Sequence, residues 1–327
     1  MQSWSLNRKI QVTQTRIMEF YNYFNGQVYI SFSGGKDSSV LLDIARKMYP
    51  GIQAVFMDTG LEYPELKSFI KTFDNVTIEK PKMGFKDVIR TYGYPIISKE
   101  IAETIQGARK GQQYRIDSLN GVRMKNGKIS PFGNYPKYKY LLDAPFNISH
   151  YCCNEMKKKP FHIFENKYNL HPIIGTRVDE SLLRRNAWLK TGCNAFDSDR
   201  PISKPISFWT EQNILEYINK FKTPICSLYG EVIPVKDTYH LYFGGTPDPD
   251  QYKTTGIKSS GCIFCCFGIS GECKYPDDLN RFEKLKLSHQ QLYNYCINGG
   301  ELKDGLWVPN KNGLGLGFVL DFIGEKY

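Results

Sequence analysis

Long apolar runs are missing from this 327-residue chain. No stretch reaches the roughly 18 residues that span a bilayer, and the opening Met1-Gln2-Ser3-Trp4-Ser5-Leu6 lacks the apolar core of a signal peptide. A cytoplasmic protein with no membrane partner is expected. Acidic residues are also in short supply: 33 Asp and Glu face 43 Lys and Arg, a formal net charge of +10. That imbalance fits a polyanionic partner or a merely basic surface. Hydrophobic residues at 41% and charged ones at 23% leave no case for disorder. The length suffices for one sizeable core with a satellite, or two modest domains.

What is present is organised around Ser33-Gly34-Gly35-Lys36-Asp37-Ser38-Ser39. The apolar run 28–32 before it predicts a buried strand, and Val40-Leu41-Leu42-Asp43-Ile44-Ala45 after it predicts a helix. The glycines then form the turn between a strand and a helix N-terminus, where first-turn N–H groups lack partners and the helix dipole favours negative charge. The expected guest is a phosphate or sulfate. The plainer reading is a tight turn that only caps a helix. A Walker A spacing, Gly-x-x-x-x-Gly-Lys-[Ser/Thr], cannot be laid over the loop. It resembles the Ser-Gly-Gly-x-Asp-Ser pyrophosphate loop of enzymes that split ATP between its α and β phosphates. That adenine nucleotide alpha hydrolase-like superfamily includes sulfate-activating proteins and proteins like phosphoadenosine phosphosulfate (PAPS) reductase.

Helical patterns at 6–25, 37–48, 62–73 and 85–91 alternate with strand patterns at 28–32, 53–57 and 76–79. They imply right-handed crossovers and an α/β fold: a parallel twisted sheet with helices on both faces. Ligands of such sheets sit beyond the carboxyl ends of strands, so Asp58, after the second strand, is expected to face the same crevice as Ser33. There it could orient ribose or magnesium, or simply cap the next helix. Pro172-Ile173-Ile174-Gly175-Thr176-Arg177 predicts a further strand, with an arginine placed to reach a phosphate or to pair with Glu180. The resembling families carry Asp-Thr-Gly and Gly-x-Arg-x-x-Glu at these two places. Pro160 predicts a break near Lys159, and Thr210 an N-cap for the helical pattern at 214–218.

Between Gly107 and Tyr140 the periodicity weakens. Arg109, Lys110, Arg115, Arg123, Lys125, Lys128, Lys137 and Lys139 face a single acid, Asp117, with Tyr114, Phe132, Tyr135, Tyr138 and Tyr140 interleaved. Basic groups for phosphates and aromatic faces for stacking suit single-stranded nucleic acid, and a solvated insertion is the other reading.

Nine cysteines in a cytosolic protein argue against a disulfide framework and for metal or redox chemistry wherever they cluster. Cys152-Cys153 and Cys262-Ile263-Phe264-Cys265 can bring four thiolates to one centre. The arrangement resembles the 4Fe-4S site of assimilatory adenylylsulfate (APS) reductases, including the Lys-rich stretch after the first pair. Zinc is served equally well by four thiolates, and Cys266 or Cys273 could replace one of the four. Cys193, Cys226 and Cys296 stand alone and read as packing residues.

The resemblance implies an adenylating sulfur-transfer enzyme that forms AMP and pyrophosphate from ATP. In it the Ser33–Ser39 loop, Gly175 and Arg177 hold ATP, Lys36 and Arg177 stabilise phosphate charge, and Asp37 or Asp58 places magnesium. The cluster cysteines would handle sulfur. The acceptor would be a tRNA or DNA held through 107–140, as DNA phosphorothioation and tRNA thiolation enzymes pair the same two features. A sulfur-donor protein and a homodimer are compatible with this reading. One alternative is an APS or PAPS reductase, but its C-terminal Glu-Cys-Gly-Ile-His motif is absent after Cys273, and its phosphate loop is typically altered from the form kept here. A sulfate-adenylylating subunit leaves the cysteines unexplained, and a metal-stabilised nucleic-acid-binding module leaves the loop idle. The expected organisation is an N-terminal helix (1–26), a pyrophosphate-loop domain (27–230) with a basic insertion (107–145), and a Cys-rich, helical region (231–327).

Overall fold

A computed structural model of the chain describes residues 1–235, 251–273 and 278–327. Residues 236–250 and 274–277, which fall within the expected 231–327 region, lie outside the described residues. The chain divides into two compact units. One comprises 1–58, 62–80 and 160–260, the other 59–61, 81–159 and 261–327.

The first unit opens with helix α1 (Leu6–Tyr23), begun by the Ser5 side chain accepting from Arg8 N and anchored by buried Leu6, Ile17 and Phe20. Then come β1 (Val28–Ser31), α2 (Lys36–Met48), β2 (Ala54–Met57), α3 (Pro64–Ile70) and β3 (Val76–Glu79). The order β3-β2-β1 continues in parallel through strands His171–Ile174 and Ile202–Ser203. Strand Asn194–Ala195 closes the edge antiparallel to Ile202–Ser203. The sheet is therefore mostly parallel, with one edge strand returning directly on its neighbour where no crossover helix intervenes.

Every residue of β2 is buried, as an apolar central strand requires. Tyr29 and Val55 form a core cluster with Phe164 of helix Lys159–Tyr168. α1 and α2 pack on each other and on helix Glu211–Phe221, whose start is fixed by the expected Thr210 cap in a capping box with Asn213. Val40, Leu41 and Leu42 of α2 are at most 1% exposed. Each contributes about 1.5–3 kcal/mol by leaving water, so the start of α2 rests on a well-anchored helix.

In the second unit, helix Lys99–Arg109 starts at Ser98, whose side chain accepts from Ile101 N. Strand Ile96–Ile97 pairs in parallel with Cys266–Phe267. Helices Arg281–Ser288 and Gln290–Ile297 precede an antiparallel hairpin, Glu301–Lys303 with Leu306–Val308. A last helix, Leu316–Ile323, buries Leu316, Val319 and Leu320. The glycine run 313–317 serves the entry to that helix, with Gly315 at φ +66° as its N-cap.

The weakly patterned stretch also carries regular structure: helix Gln113–Asn120, strands Met124–Lys125 and Lys128–Ile129, and a 3-10 helix at Pro136–Asp143. These elements are too short for periodicity to reveal. Arg109 organises the segment, donating to the carbonyls of Leu141, Leu142, Ala144 and Phe146 at 2.8–3.1 Å. Where a break was expected at Lys159, a π turn over Asn154–Lys158 passes into helix Lys159–Tyr168. Pro160 has no N–H to offer the carbonyl four residues back, so the regular ladder cannot run through it. Among the described residues no helix is long and apolar enough to cross a membrane.

Candidate functional site

The first unit carries a polar cavity of about 530 Å³ at the start of α2. β1 ends at Ser31 and α2 begins at Lys36, so the turn is very short. Gly34 sits at φ +74°, and a Cβ there would stand 2.8 Å from Leu66 Cδ2, so the position suits only glycine. Gly35 is the N-cap and no side chain caps the helix. Ser38 Oγ turns back instead, donating to Gly35 O (2.9 Å), accepting from Ser33 N (3.3 Å) and standing 3.1 Å from Ser33 Oγ. The first-turn N–H groups of α2 are thus left uncapped by side chains at a cavity lined by Ser33, Gly35, Lys36, Asp37 and Ser38. That is the arrangement of an anion site.

From beyond strand His171–Ile174, Gly175 and Arg177 line the same cavity. Gly175 allows the approach: a Cβ there would meet Asp37 C and O and Ser38 N at 3.2 Å. Arg177, 8% exposed, brings Nε to 2.6 Å from Asp37 Oδ1 and donates through Nη1 to Asp179 Oδ2 at 3.0 Å. The contact with Asp37 is an ion pair without hydrogen-bond alignment, and both atoms are buried. Burial raises the Asp37 carboxyl to about 6, with Arg177 opposing the shift. Burial also raises Asp179. Lys36, 5% exposed, reaches Glu211 Oε1 at 3.2 Å and lies 5.3 Å from the centre of the Tyr229 ring.

Four cations of the cavity, Lys36, Arg177, Arg184 and Lys258, meet four carboxylates, Asp37, Asp179, Glu180 and Glu211. A polyanion bound there would compete with those carboxylates, which are themselves oxygen donors of the kind magnesium takes. Sequence reasoning missed Glu211, Lys258 and the pair Tyr229–Ser260, whose hydroxyls stand 2.6 Å apart. These residues are far from the loop in sequence, and the only local signal was Thr210 marking where Glu211's helix begins. Asp58 does not line the cavity. It lies just past β2 and is paired with Lys67 at 2.6 Å. Ser39 is 2% exposed, and its Oγ has no hydrogen-bond partner among the described residues.

The second unit holds the thiols. None of the nine cysteines, all of them among the described residues, is in a disulfide. Cys152, Cys153, Cys262 and Cys265 line one small apolar cavity with Leu61, Phe85, Pro95 and Met156. Cys265 N donates to Cys262 O (3.1 Å), closing the Cys-x-x-Cys turn, and Ile263 N donates to Leu61 O (2.9 Å). Arg281 holds the turn from behind, donating to Cys265 O (2.8 Å) and Phe267 O (3.2 Å) while Glu272 takes its Nε (2.8 Å). Cys152 and Cys153 have their sulfurs 4.0 Å apart. Their contact, with Lys99 and Lys157 nearby, pulls the Cys153 thiol down against its burial, while the same contact and burial push Cys152 up.

Of the two alternative ligands, Cys266 turns into the core at 0% exposure, where burial raises its thiol, and Cys273 is exposed. Neither lines the cavity. Cys193, Cys226 and Cys296 are buried. Among the described residues no three His, Cys, Asp or Glu side chains are grouped as a single-ion site. Four soft sulfur donors around an apolar cavity fit the donor set of an iron–sulfur cluster; zinc takes the same sulfur donors, but as one ion, for which they are not grouped.

The sequence model of the phosphoadenosine phosphosulfate reductase domain matches residues 27–96 and 112–266. An uncharacterized protein of Methanocaldococcus jannaschii is 24% identical over 307 residues, 89% of this chain and 47% of its own length. A second uncharacterized protein of that organism is 45% identical over 162 residues, 47% of this chain and 34% of its own length. The chain thus spans half or less of the length of these two relatives. The adenosine 5′-phosphosulfate reductase of Staphylococcus haemolyticus is 23% identical over 214 residues, 65% of this chain and 70% of its own length.

Proposed function

This chain belongs to the phosphoadenosine phosphosulfate reductase domain family, and from that premise we propose that it splits ATP to AMP and pyrophosphate to activate an acceptor for sulfur transfer. The supporting observation is the uncapped start of α2, which opens beside Lys36 and Arg177 into a cavity of about 530 Å³. An acceptor oxygen attacks the α phosphorus and pyrophosphate leaves. A sulfur nucleophile then displaces AMP, so the acceptor carries sulfur where it carried oxygen.

The backbone of Ser33–Ser39 holds the leaving pyrophosphate. Lys36 and Arg177 neutralise the charge that develops on it, a role in which one preorganised donor is worth about 2.7–4 kcal/mol. Asp37 and Asp179 supply oxygens for magnesium, which offsets phosphate charge when bound. Asp58 remains a candidate for ribose or magnesium from the end of β2. Cys152, Cys153, Cys262 and Cys265 would hold a 4Fe-4S cluster, with zinc as the alternative, and a bound cluster would supply iron to carry or deliver sulfur. The acceptor is a nucleic acid, in keeping with the net charge of +10.

The likeness to an APS reductase favours a second reading, in which a thiolate attacks the sulfur of a sulfonucleotide, AMP leaves, and a further thiol releases sulfite. Against it, Cys296, the one cysteine after Cys273, is 0% exposed and presents no thiol at the surface. Calorimetry separates the readings, with anaerobically purified protein titrated with magnesium–ATP, APS and PAPS. The proposal expects ATP to bind tightest and Lys36→Ala to weaken that binding roughly 10–100-fold. A sulfonucleotide that binds tighter than ATP overturns it in favour of the reductase.

A further inference from the structure

We propose that the hairpin at 122–132 is a docking surface for a single-stranded polynucleotide. The inference deepens the reading above, in which the acceptor is a nucleic acid. Of the eight basic residues between 107 and 140, Arg109 and Arg115 are tied by side-chain hydrogen bonds within the unit, and Lys137 lies 4.7 Å from the centre of the Tyr138 ring. Arg109 binds four carbonyls, while Arg115 pairs with Glu103 at 2.5 Å and donates to Thr104 Oγ1 at 3.0 Å. Lys110, Lys125, Lys128, Lys137 and Lys139 are exposed.

The pairing register sets Met124 opposite Ile129 and Lys125 opposite Lys128. Successive strand residues point to opposite faces. One face is therefore apolar, with Met124 58% and Ile129 60% exposed, and the other sets two like charges side by side. Like charges directly opposite each other destabilise a strand pair. The one acid of the stretch, Asp117, accepts from Gln113 at 2.8 Å. A polyanion relieves that repulsion, and a neutral partner does not.

The mount is preset. Asn126 and Gly127 have φ of +52° and +74°, as a type I′ turn demands of both central residues. At the base, Ser130 N donates to Arg123 O (2.8 Å) and Arg123 N to Asn134 Oδ1 (3.0 Å). Asn134 Nδ2 donates to Ser130 O (2.7 Å), and Ser130 Oγ to Phe132 O (2.7 Å). This braced loop presents Phe132 at 81% exposure. A ring so displayed stacks on a base, whatever its identity, provided the base is not already stacked in a duplex. Lysines for phosphates and a ring for a base together select single strands.

The test is fluorescence anisotropy of the whole protein with a labelled mixed-sequence 15-nucleotide RNA, the DNA of the same sequence and the corresponding DNA duplex. Vesicles containing phosphatidylserine are run alongside. At least one single strand binds more tightly than the duplex, and the RNA and DNA arms tell which sugar is preferred. Phe132→Ala weakens binding about tenfold with the salt dependence kept. Lys125→Gln with Lys128→Gln lowers the slope of log affinity against log salt by about 1.4. Preference for the duplex, unchanged binding in both variants, or binding to vesicles alone overturns the assignment, as does a shift in oligomeric state on Phe132→Ala. Failure here is distinguishable from failure of the enzymatic reading. If magnesium–ATP binds through Lys36 while oligonucleotides do not bind, the hairpin assignment falls by itself. If oligonucleotides bind but ATP does not, the adenylation falls and the docking surface stands.

Discussion

Arg177 Nε lies 2.6 Å from Asp37 Oδ1, both atoms buried and out of hydrogen-bond alignment, and the pairing does not offset the burial of the carboxylate. Asp37 is raised from 3.8 to about 6. A carboxyl with a higher pKa folded than unfolded supports the native state while protonated, and that support is lost as pH rises from 3.8 through about 6. Asp37→Asn should therefore match the parent protein below about pH 4 and exceed it near pH 7.5. The gain should be at most about 2 kcal/mol, because 27% of the side chain remains exposed and water screens part of the effect. Urea denaturation at the two pH values checks this, and equal differences at both would refute it.

Lys36 is held by Glu211 at 3.2 Å, a contact with which a bound phosphate would compete. Lys36→Ala should weaken magnesium–ATP binding roughly 10–100-fold, the worth of a charge-assisted hydrogen bond. Glu211→Gln should tighten it by about fivefold, since a partly exposed ion pair no longer competes. If Glu211→Gln instead weakens binding, Glu211 orients Lys36 for its ligand and does not compete with it.

A methyl group at Gly175 tests whether the loop's position matters apart from its charges. Gly175→Ala places a Cβ 3.2 Å from the backbone of Asp37 and Ser38. It should cost about 1–3 kcal/mol in stability, and lower ATP affinity by about tenfold, the effect of a shift worth about 1.4 kcal/mol. Gly51→Ala, where nothing lies within 4 Å, is the matched control and should leave affinity unchanged. Calorimetry and thermal denaturation on both variants decide it.

Two neighbouring cysteines should respond oppositely to the same change. Cys265→Ser removes a thiol from the apolar cavity and should abolish iron loading, read by absorbance and metal content after anaerobic reconstitution, with little loss of stability. Cys266→Ser buries a hydroxyl at a fully enclosed strand position and should cost about 1–3 kcal/mol while iron still loads. Equal iron loading in the two variants would show that Cys265 is not a ligand.

Much of the first unit was legible because its signals are local. Val28–Ser31, the glycine turn and α2 announce themselves within twenty residues, and the Thr210 cap needs only the next turn of helix. The antiparallel edge strand Asn194–Ala195 was not legible, since two residues carry no periodicity. Glu211, Tyr229 and Ser260 were missed because their roles depend on where distant elements return to the loop. The count of basic residues at 107–140 overstated the free charge. Nothing in the sequence tells that Arg109 spans four carbonyls while Lys125 faces outward. The cysteines were the reverse case: residues more than a hundred positions apart line one cavity, and the adjacent pair and the Cys-x-x-Cys spacing that single them out are each recognisable alone.

The chain passes from one unit to the other five times, at 58–59, 61–62, 80–81, 159–160 and 260–261. Neither unit is a continuous stretch of sequence, so no single gene fragment encodes one without part of the other. A recombination event with a breakpoint inside the chain splits at least one unit between parents, and a circular permutation cannot make either contiguous. The polar cavity at the start of α2 and the thiol cavity are therefore inherited as one block, unlike cassettes that can be shuffled between genes. The threading makes the loss of either chemistry a matter of point substitution rather than of deletion.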